Sequence, residues 1–413
     1  MRRVAITGLG VLAPNGTGVK EYARALWEGQ GAISRITAFD PSGHHSRIAG
    51  QVDHPSLPSG AAEDPDGEDR VVRMAQIAAD EALASAGLPD PRVSPDRIGV
   101  AVSNAIGGIF MTEHFADITA GGTGPIDVRA AHPQLHRAAT FATPGSVIAD
   151  AYGFEGVCAT LTTGCTGGND AIGFALDAIR RGDADVMLAG GAEAPVSPFV
   201  VACFDVIGAL SVRNDDPEHA SRPFERDRDG FVLAEGAGLA VLEEWEHARA
   251  RGATVLGEVL GYGSVNNAFH MTDLDFDGAD LARSFRLALE DARCGPERVG
   301  YINAHGSSTP QNDVCETNAI KSVLGAHART TPVSSTKSMV GHALAAANAL
   351  EFVASALALR DGVLPPTINL FEADRYCDLD YVPNTAREAD PGVIASLSSG
   401  FGGIHSTVVL GAV

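Results

Sequence analysis

One thiol among six is set apart by its flanks. Cys165 lies in Leu161-Thr162-Thr163-Gly164-Cys165-Thr166-Gly167-Gly168. Before it runs a short apolar stretch, Val157 to Leu161. After it, from Asn169, the residues Ile172, Phe174, Ala175, Leu176 and Ile179 recur at helical spacing. The pattern predicts a buried strand, a tight turn and a helix. Glycine permits such a turn because it accepts positive φ without a Cβ clash. The unpaired N–H groups of a helix start favour a thiolate. The thiol of Cys165 is therefore expected to have a lowered pKa and to serve as a nucleophile. The competing reading is inert packing, the usual fate of free cysteine. Cys158, inside the apolar strand, and Cys203, Cys294, Cys315 and Cys377 take that reading.

Three further stretches hold reactive types. In Tyr301-Ile302-Asn303-Ala304-His305-Gly306-Ser307-Ser308-Thr309-Pro310, His305 follows a strand-like run. Functional residues gather at the carboxyl ends of strands in α/β folds. In Ser334-Ser335-Thr336-Lys337-Ser338-Met339-Val340-Gly341-His342, a polar turn enters a long apolar helix. Ser398-Ser399-Gly400-Phe401-Gly402-Gly403 is a glycine-rich loop between strands. Each has a plain alternative: a hydrogen-bonded structural histidine, a helix cap at Thr336 or Ser338, a tight turn. Together they offer two imidazoles, an ammonium and free backbone N–H groups to partner one thiol.

The elements that must position these groups follow from periodicity. Strands are predicted at Val4 to Ala13, Ile98 to Val102, Asp185 to Gly190, Gly238 to Leu242, Val255 to Val265, Val299 to Asn303, Ile394 to Leu397 and Thr407 to Leu410. Helices are predicted at Val19 to Trp27, Arg70 to Gly87, Pro144 to Tyr152, Ala279 to Ala292, Asn312 to Leu324 and Leu344 to Leu359. Phe39 to Gly67 looks like a surface excursion, and Glu113 to Leu135 shows no clear period. The alternation implies an α/β fold with a mostly parallel sheet. Strand, small-residue turn and apolar helix occur around Cys165 and again around Lys337 to Leu359. Two similar halves are expected, 1–250 with the nucleophile and 251–413 with the His/Lys/His residues.

Composition narrows the function. The 413 residues carry a net charge of −22. That disfavours nucleic acid or an acidic membrane as partner. No apolar run is long enough to span a bilayer. The amino terminus shows no signal-peptide core, and a cytoplasmic protein is expected. The cysteine spacing suggests neither a disulfide framework nor a zinc site. Asp273, Asp275 and Asp277 have calcium-loop spacing, but Ser284 stands where the loop's final glutamate belongs, so a solvated loop is expected there. Lysine occurs only at positions 20, 321 and 337, so Lys337 is a poor candidate for filler.

The cysteine elbow, the His-Gly-Ser-Ser-Thr-Pro-Gln-Asn-Asp stretch and the Lys-Ser-Met-Val-Gly-His stretch, in this order, resemble those of a β-ketoacyl synthase. The resemblance runs from Val4-Ala5-Ile6-Thr7-Gly8-Leu9-Gly10 to Phe401-Gly402-Gly403. It implies the thiolase-like fold, two similar halves in a five-layered αβαβα arrangement, normally dimeric. It implies Cys165 as acyl acceptor, and His305 and His342 as the pair that stabilises the decarboxylated malonyl group. Lys337 matches the family's buried lysine, Glu316 and Glu351 carboxylates around it, and Phe401 the gating residue. The Cys165 and Phe401 N–H groups match the oxyanion donors, and Ser307 and Thr309 the pantetheine contacts. No metal or bound cofactor is implied; the phosphopantetheine arm of an acyl carrier protein brings the substrate.

Gly164 before the cysteine, and Gly-Cys-Thr-x-Gly-x-Asp-like spacing after it, resemble the catalytic subunit of type II polyketide systems. A heterodimer with a chain-length factor is then expected, or a homodimer. The alternatives are a homodimeric fatty-acid elongating enzyme and, in another class, a cysteine acyltransferase or hydrolase that does not decarboxylate. Two departures stand out. Ile404-His405 replaces the usual threonine and asparagine, and Gly167-Gly168 should loosen the first helical turn. Carrier proteins of this family are acidic, so docking is expected on a local basic patch, with Arg213, Arg70 and Arg73 as candidates.

Overall fold

The computed structural model describes residues 1–57, 68–109, 112–113 and 127–413. Residues 58–67 of the excursion, 114–126 of the aperiodic stretch, and Phe110 lie outside them. Strands pair in the order Val333–Ser334, Tyr301–Asn303, Val393–Gly400, Ile404–Gly411, Gly257–Asn266, Val4–Ala13, Gly236–Glu244, Val186–Glu193, Ile98–Ser103, Cys158–Leu161, with Gly16–Thr17 folded back on Val4–Ala13. The two halves of this order repeat one pattern. Moving in from each edge, two parallel pairings are followed by two antiparallel ones. Val4, Ala5 and Ile6 join the halves by pairing with Val259, Glu258 and Gly257. The sheet is thus mixed, not mostly parallel as the alternation predicted. The reason is local: Val393–Gly400 and Ile404–Gly411 are joined by a tight turn, which only antiparallel neighbours allow.

Helices make the other three layers. Arg70–Ala86 and Thr143–Tyr152 cover one half of the sheet, and Ala279–Asp291 and Pro310–Leu324 cover the other. Gly167–Arg181 and Ala347–Asp361 lie between the halves. Every residue from Ala347 to Ala358 is buried, which suits a helix that is apolar on all sides. The expected five-layered arrangement of an α/β thiolase-like fold is therefore present.

The central helices meet at glycine. A Cβ on Gly168 would lie 2.4 Å from Ala349 N, closer than any real contact. Gly167 and Gly168 do not loosen the first turn. The helix begins at Gly167, ahead of the predicted Asn169; Gly167 fits against Ser103, and Gly168 lets the two axes approach. The turn before it is made by Gly164, at φ 62°.

Two cysteine expectations fail. Cys158 is exposed, because Cys158–Leu161 is the edge strand of the sheet and not a buried one. Cys203 is also exposed, on the helix Pro198–Asp205 that periodicity did not reveal. The supposed surface excursion holds a buried strand, Ile48–Gly50, paired with Ile33–Arg35.

Candidate active site

Cys165 sits in a single 3-10 turn, Gly164–Thr166, between the edge strand and the central helix. Asp170, one turn on, holds the elbow: its carboxylate accepts from Thr166 Oγ1 at 2.8 Å, from Thr163 Oγ1, and from Tyr262 OH at 2.7 Å. Tyr262 comes from the other half of the sheet, so this carboxylate also ties the halves together. Ser398 Oγ lies 3.1 Å from Cys165 O and 2.9 Å from Asn348 Oδ1.

The thiol opens into a cavity of about 380 Å³. His305, His342, Ser307, Thr309, Ser399 and Phe401 line it as well. The two imidazoles stand edge to face, 5.1 Å between centroids. Burial holds both well below the usual imidazole range, and the Lys337 ammonium pushes further in the same direction. Both rings are therefore neutral. His342 Nδ1 accepts the Leu344 N–H at 3.2 Å, which puts the ring proton on Nε2 as a donor. Leu344 makes that bond from φ 44°, a strained conformation for a branched residue.

The thiol pKa is corrected by the structure. Burial pushes it up to about 11 instead of down. Lys337 and the N–H groups of Phe401 and Cys165 itself act against burial, but do not overcome it. The two amides expected to serve as oxyanion donors thus stand within reach of the sulfur.

Lys337 does not line the cavity. It is buried one layer behind, paired with Glu351, whose other oxygen accepts from Asn348 Nδ2 at 2.8 Å. The polar turn around it is a separate one-turn helix, Lys337–Val340, not the start of the long one. Glu316 does not touch Lys337. It accepts the His305 and Gly306 N–H groups at 2.7 and 2.8 Å and so fixes the histidine loop. Burial pushes its pKa up to about 8. Lys337, Glu351 and Glu316 thus stand behind the cavity wall and not on it.

Ser307 Oγ and Thr309 Oγ1 are hydrogen-bonded at 2.9 Å on the cavity wall. Thr309 also caps the helix Pro310–Leu324 by accepting Asn312 N–H at 3.3 Å. The acidic loop read as solvated supplies Thr272, Asp273 and Leu274 to the cavity mouth.

The docking arginines divide. Arg70 is mostly buried, with Nη2 donating to Glu235 at 2.6 Å and to Val52 O at 2.6 Å; it forms no surface patch. The pattern missed this because Glu235 lies 165 positions away. Arg73 is half-buried, with Nη1 donating to Gln76 Oε1 at 3.4 Å. Arg213 is half-buried on the segment leaving the rim at Ala209. Among the described residues no lysine or arginine lines the cavity.

Phe204, Phe231 and Glu193 escaped sequence reasoning. Phe204 and Phe231 bridge Phe401 at the mouth to His342 inward in a chain of ring contacts, at 6.3, 5.4 and 5.2 Å. Phe204 and Phe231 sit in stretches without distinctive spacing. Glu193 ends the observed strand Val186–Glu193, three residues beyond the predicted one, and its carboxylate accepts the N–H groups of Ala105, Ile106 and Ala345 at 2.7, 3.1 and 3.4 Å. Burial raises its pKa to about 7. Ile106 packs in the same apolar cluster as Cys165, Phe204 and Leu344. Ile404-His405 buries a third histidine beside this site, 3.0 Å from Ser399 Oγ.

Comparison with known proteins gives concordant matches. The family described as beta-ketoacyl synthase, N-terminal domain, matches residues 1–248, and the corresponding C-terminal domain matches residues 256–371. A putative polyketide beta-ketoacyl synthase 1 of Streptomyces cyaneus is 49% identical over 99% of this chain and 98% of its own. A solved type II polyketide ketosynthase, in complex with its acyl-carrier protein, has a TM-score of 0.94 and 43% identity over 100% of this chain and 99% of its own. The ishigamide ketosynthase/chain length factor has a TM-score of 0.90 and 37% identity, over 100% and 99%.

Proposed function

The chain belongs to the β-ketoacyl synthase family, and from that premise we propose that it is the condensing subunit of a type II polyketide pathway. The observation that carries this reading is the shared cavity of Cys165, His305 and His342. In the first step the Cys165 S–H exchanges with a carrier thioester. The acyl group moves to sulfur, and the pantetheine thiol leaves with the proton. A malonyl thioester then enters along Ser307 and Thr309 and loses CO₂. The enolate oxygen takes hydrogen bonds from neutral His305 and His342 in a dry site, where such bonds are worth most. Burial, reinforced by the Lys337 charge, keeps both rings unprotonated. The enolate carbon attacks the Cys165 thioester, the oxyanion forms at the Cys165 and Phe401 N–H groups and collapses to the ketone, and the cysteine sulfur departs as a thiolate that takes up a proton from water.

The phosphopantetheine arm of an acyl carrier protein is the only prosthetic group this chemistry needs. The partner is a chain-length factor, as in the solved ishigamide assembly, with a homodimer as the alternative. Residues 1–250 form the half with the nucleophile and 251–413 the half with His305, Lys337 and His342. Among the described residues no helix is long and apolar enough to cross a membrane, and a cytoplasmic site of action fits this chemistry. Carrier docking falls to Arg213 and the apolar rim of Val206, Ile207 and Val212, all three exposed.

Two neutral, buried imidazoles favour this reading over a cysteine hydrolase, which needs one basic histidine. The test is a pair of variants. Cys165→Ala abolishes product from acyl and malonyl carriers, while Cys165→Gln still releases CO₂ from the malonyl carrier. Retention of condensation in either variant rules the mechanism out.

A further inference from the structure

His405 is buried, 2% exposed, on the strand next to Val393–Gly400. It stands directly opposite Ser399 in the register of that pair, and Gly400 stands opposite Ile404. Its Nδ1 and Ser399 Oγ are hydrogen-bonded at 3.0 Å. The two side chains thus clasp the hairpin one residue pair below the turn that carries Phe401. Burial pushes the imidazole down to about 4, with Asp280 opposing and Arg283 reinforcing, so the clasp is neutral at working pH. Ser399, Gly400 and Phe401 all line the cavity, and the Phe401 N–H faces the Cys165 sulfur.

The outer side of the turn is held independently. Asn266 Nδ2 donates to Gly402 O at 2.7 Å, Asn267 N to Gly403 O at 2.9 Å, and Gly402 N to Met271 O at 2.7 Å. These bonds fix the tip. On the inner strand Ser398 is held by Cys165 O and Asn348, and the side-chain partner of Ser399 is His405.

We propose that His405 is a positioning residue that acts through Ser399 to aim the Phe401 N–H at the acyl group on Cys165. The inference rests on the condensing mechanism above and divides its steps. Acyl loading and condensation both build an oxyanion on the Cys165 thioester, so both depend on the aim of that amide. Decarboxylation places its charge at His305 and His342 and does not.

The test uses the full chain with acyl and malonyl carriers. In His405→Ala, single-turnover acyl loading followed by intact mass falls about tenfold or more, with KM for the carrier little changed. His405→Asn restores loading to within about threefold, because a carboxamide can also donate to or accept from Ser399. The double variant Cys165→Gln/His405→Ala releases CO₂ at the rate of Cys165→Gln alone. Loading at the wild-type rate in His405→Ala overturns the proposal. So does a parallel fall of loading and decarboxylation, which marks a merely structural residue. If Cys165→Gln alone releases no CO₂, the mechanism fails instead, and the loading comparison still reports on His405.

Discussion

A thiol held near pKa 11 is almost wholly protonated at pH 7, so Cys165 stores its nucleophilicity until a thioester arrives. The cause is removal from water, outweighing one ammonium and two amides. Two consequences can be measured. Iodoacetamide labelling of Cys165 is expected to keep rising with pH beyond 9.5, where an ordinary thiol has levelled off. A plateau near pH 8 contradicts the burial argument. Glu316 gives a stability signal. Its folded pKa of about 8 exceeds the ordinary glutamate value of 4.5 because of burial. The native state therefore binds more protons than the unfolded one between those values, and stability falls as pH rises through that window. Above pH 7 the histidines no longer oppose this, since their folded values are lowered. Urea melts at pH 7 and 8 should show wild type losing up to about 1.4 kcal/mol more than Glu316→Gln over that unit. An equal loss in both indicates that Glu316 is ionised throughout.

At the scale of elements, the sequence was most legible where local chemistry decides. The strand, glycine turn and helix around Cys165 were all foreseen, and so were the helices Arg70–Ala86 and Ala279–Asp291. Misreadings came where distant chain decides. Nothing near Val157 to Leu161 says that the strand lies at an edge. Nothing near Arg70 announces Glu235. The thiol pKa was misjudged because a helix start is visible in sequence, and the dry wall of Phe204, Phe231 and Leu344 is not. Gly167-Gly168 reads as a weakness in sequence because the reason for Gly168, the backbone of Ala349, is distant. That reason predicts that Gly168→Ala costs about 1–3 kcal/mol or more in a denaturant melt, far beyond the helix-propensity gain of alanine. A neutral or stabilising outcome means the central helices are not packed as described. Glu193→Gln replaces an acceptor of three N–H groups, those of Ala105, Ile106 and Ala345, by an amide that must turn a donor toward at least one of them. It should loosen the loop at Ile106 and broaden the acyl chain lengths loaded, read by competition between carriers of different acyl length. An unchanged preference removes Glu193 from pocket control.

The whole molecule is strongly acidic, with net charge −22, and no cation stands on the cavity wall among the described residues. An acidic carrier therefore meets a repulsive field, screened beyond about 10 Å at 0.1 M salt. KM for the carrier should fall as salt rises from about 20 to 200 mM; a rise points to a dominant basic docking patch instead. The five layers bring the thiol from one half and both imidazoles from the other onto one chamber, and every proposed step depends on that meeting. The most direct test is peptide mapping by mass after mixing the protein with an acyl carrier and then a malonyl carrier. The account predicts the acyl mass on the Cys165 peptide in wild type before the malonyl carrier is added and its loss to an extended chain on the carrier afterwards, and the same mass, retained and unextended, in His305→Ala/His342→Ala. An acyl group on any other residue, or extension of the chain in the double variant, would contradict it.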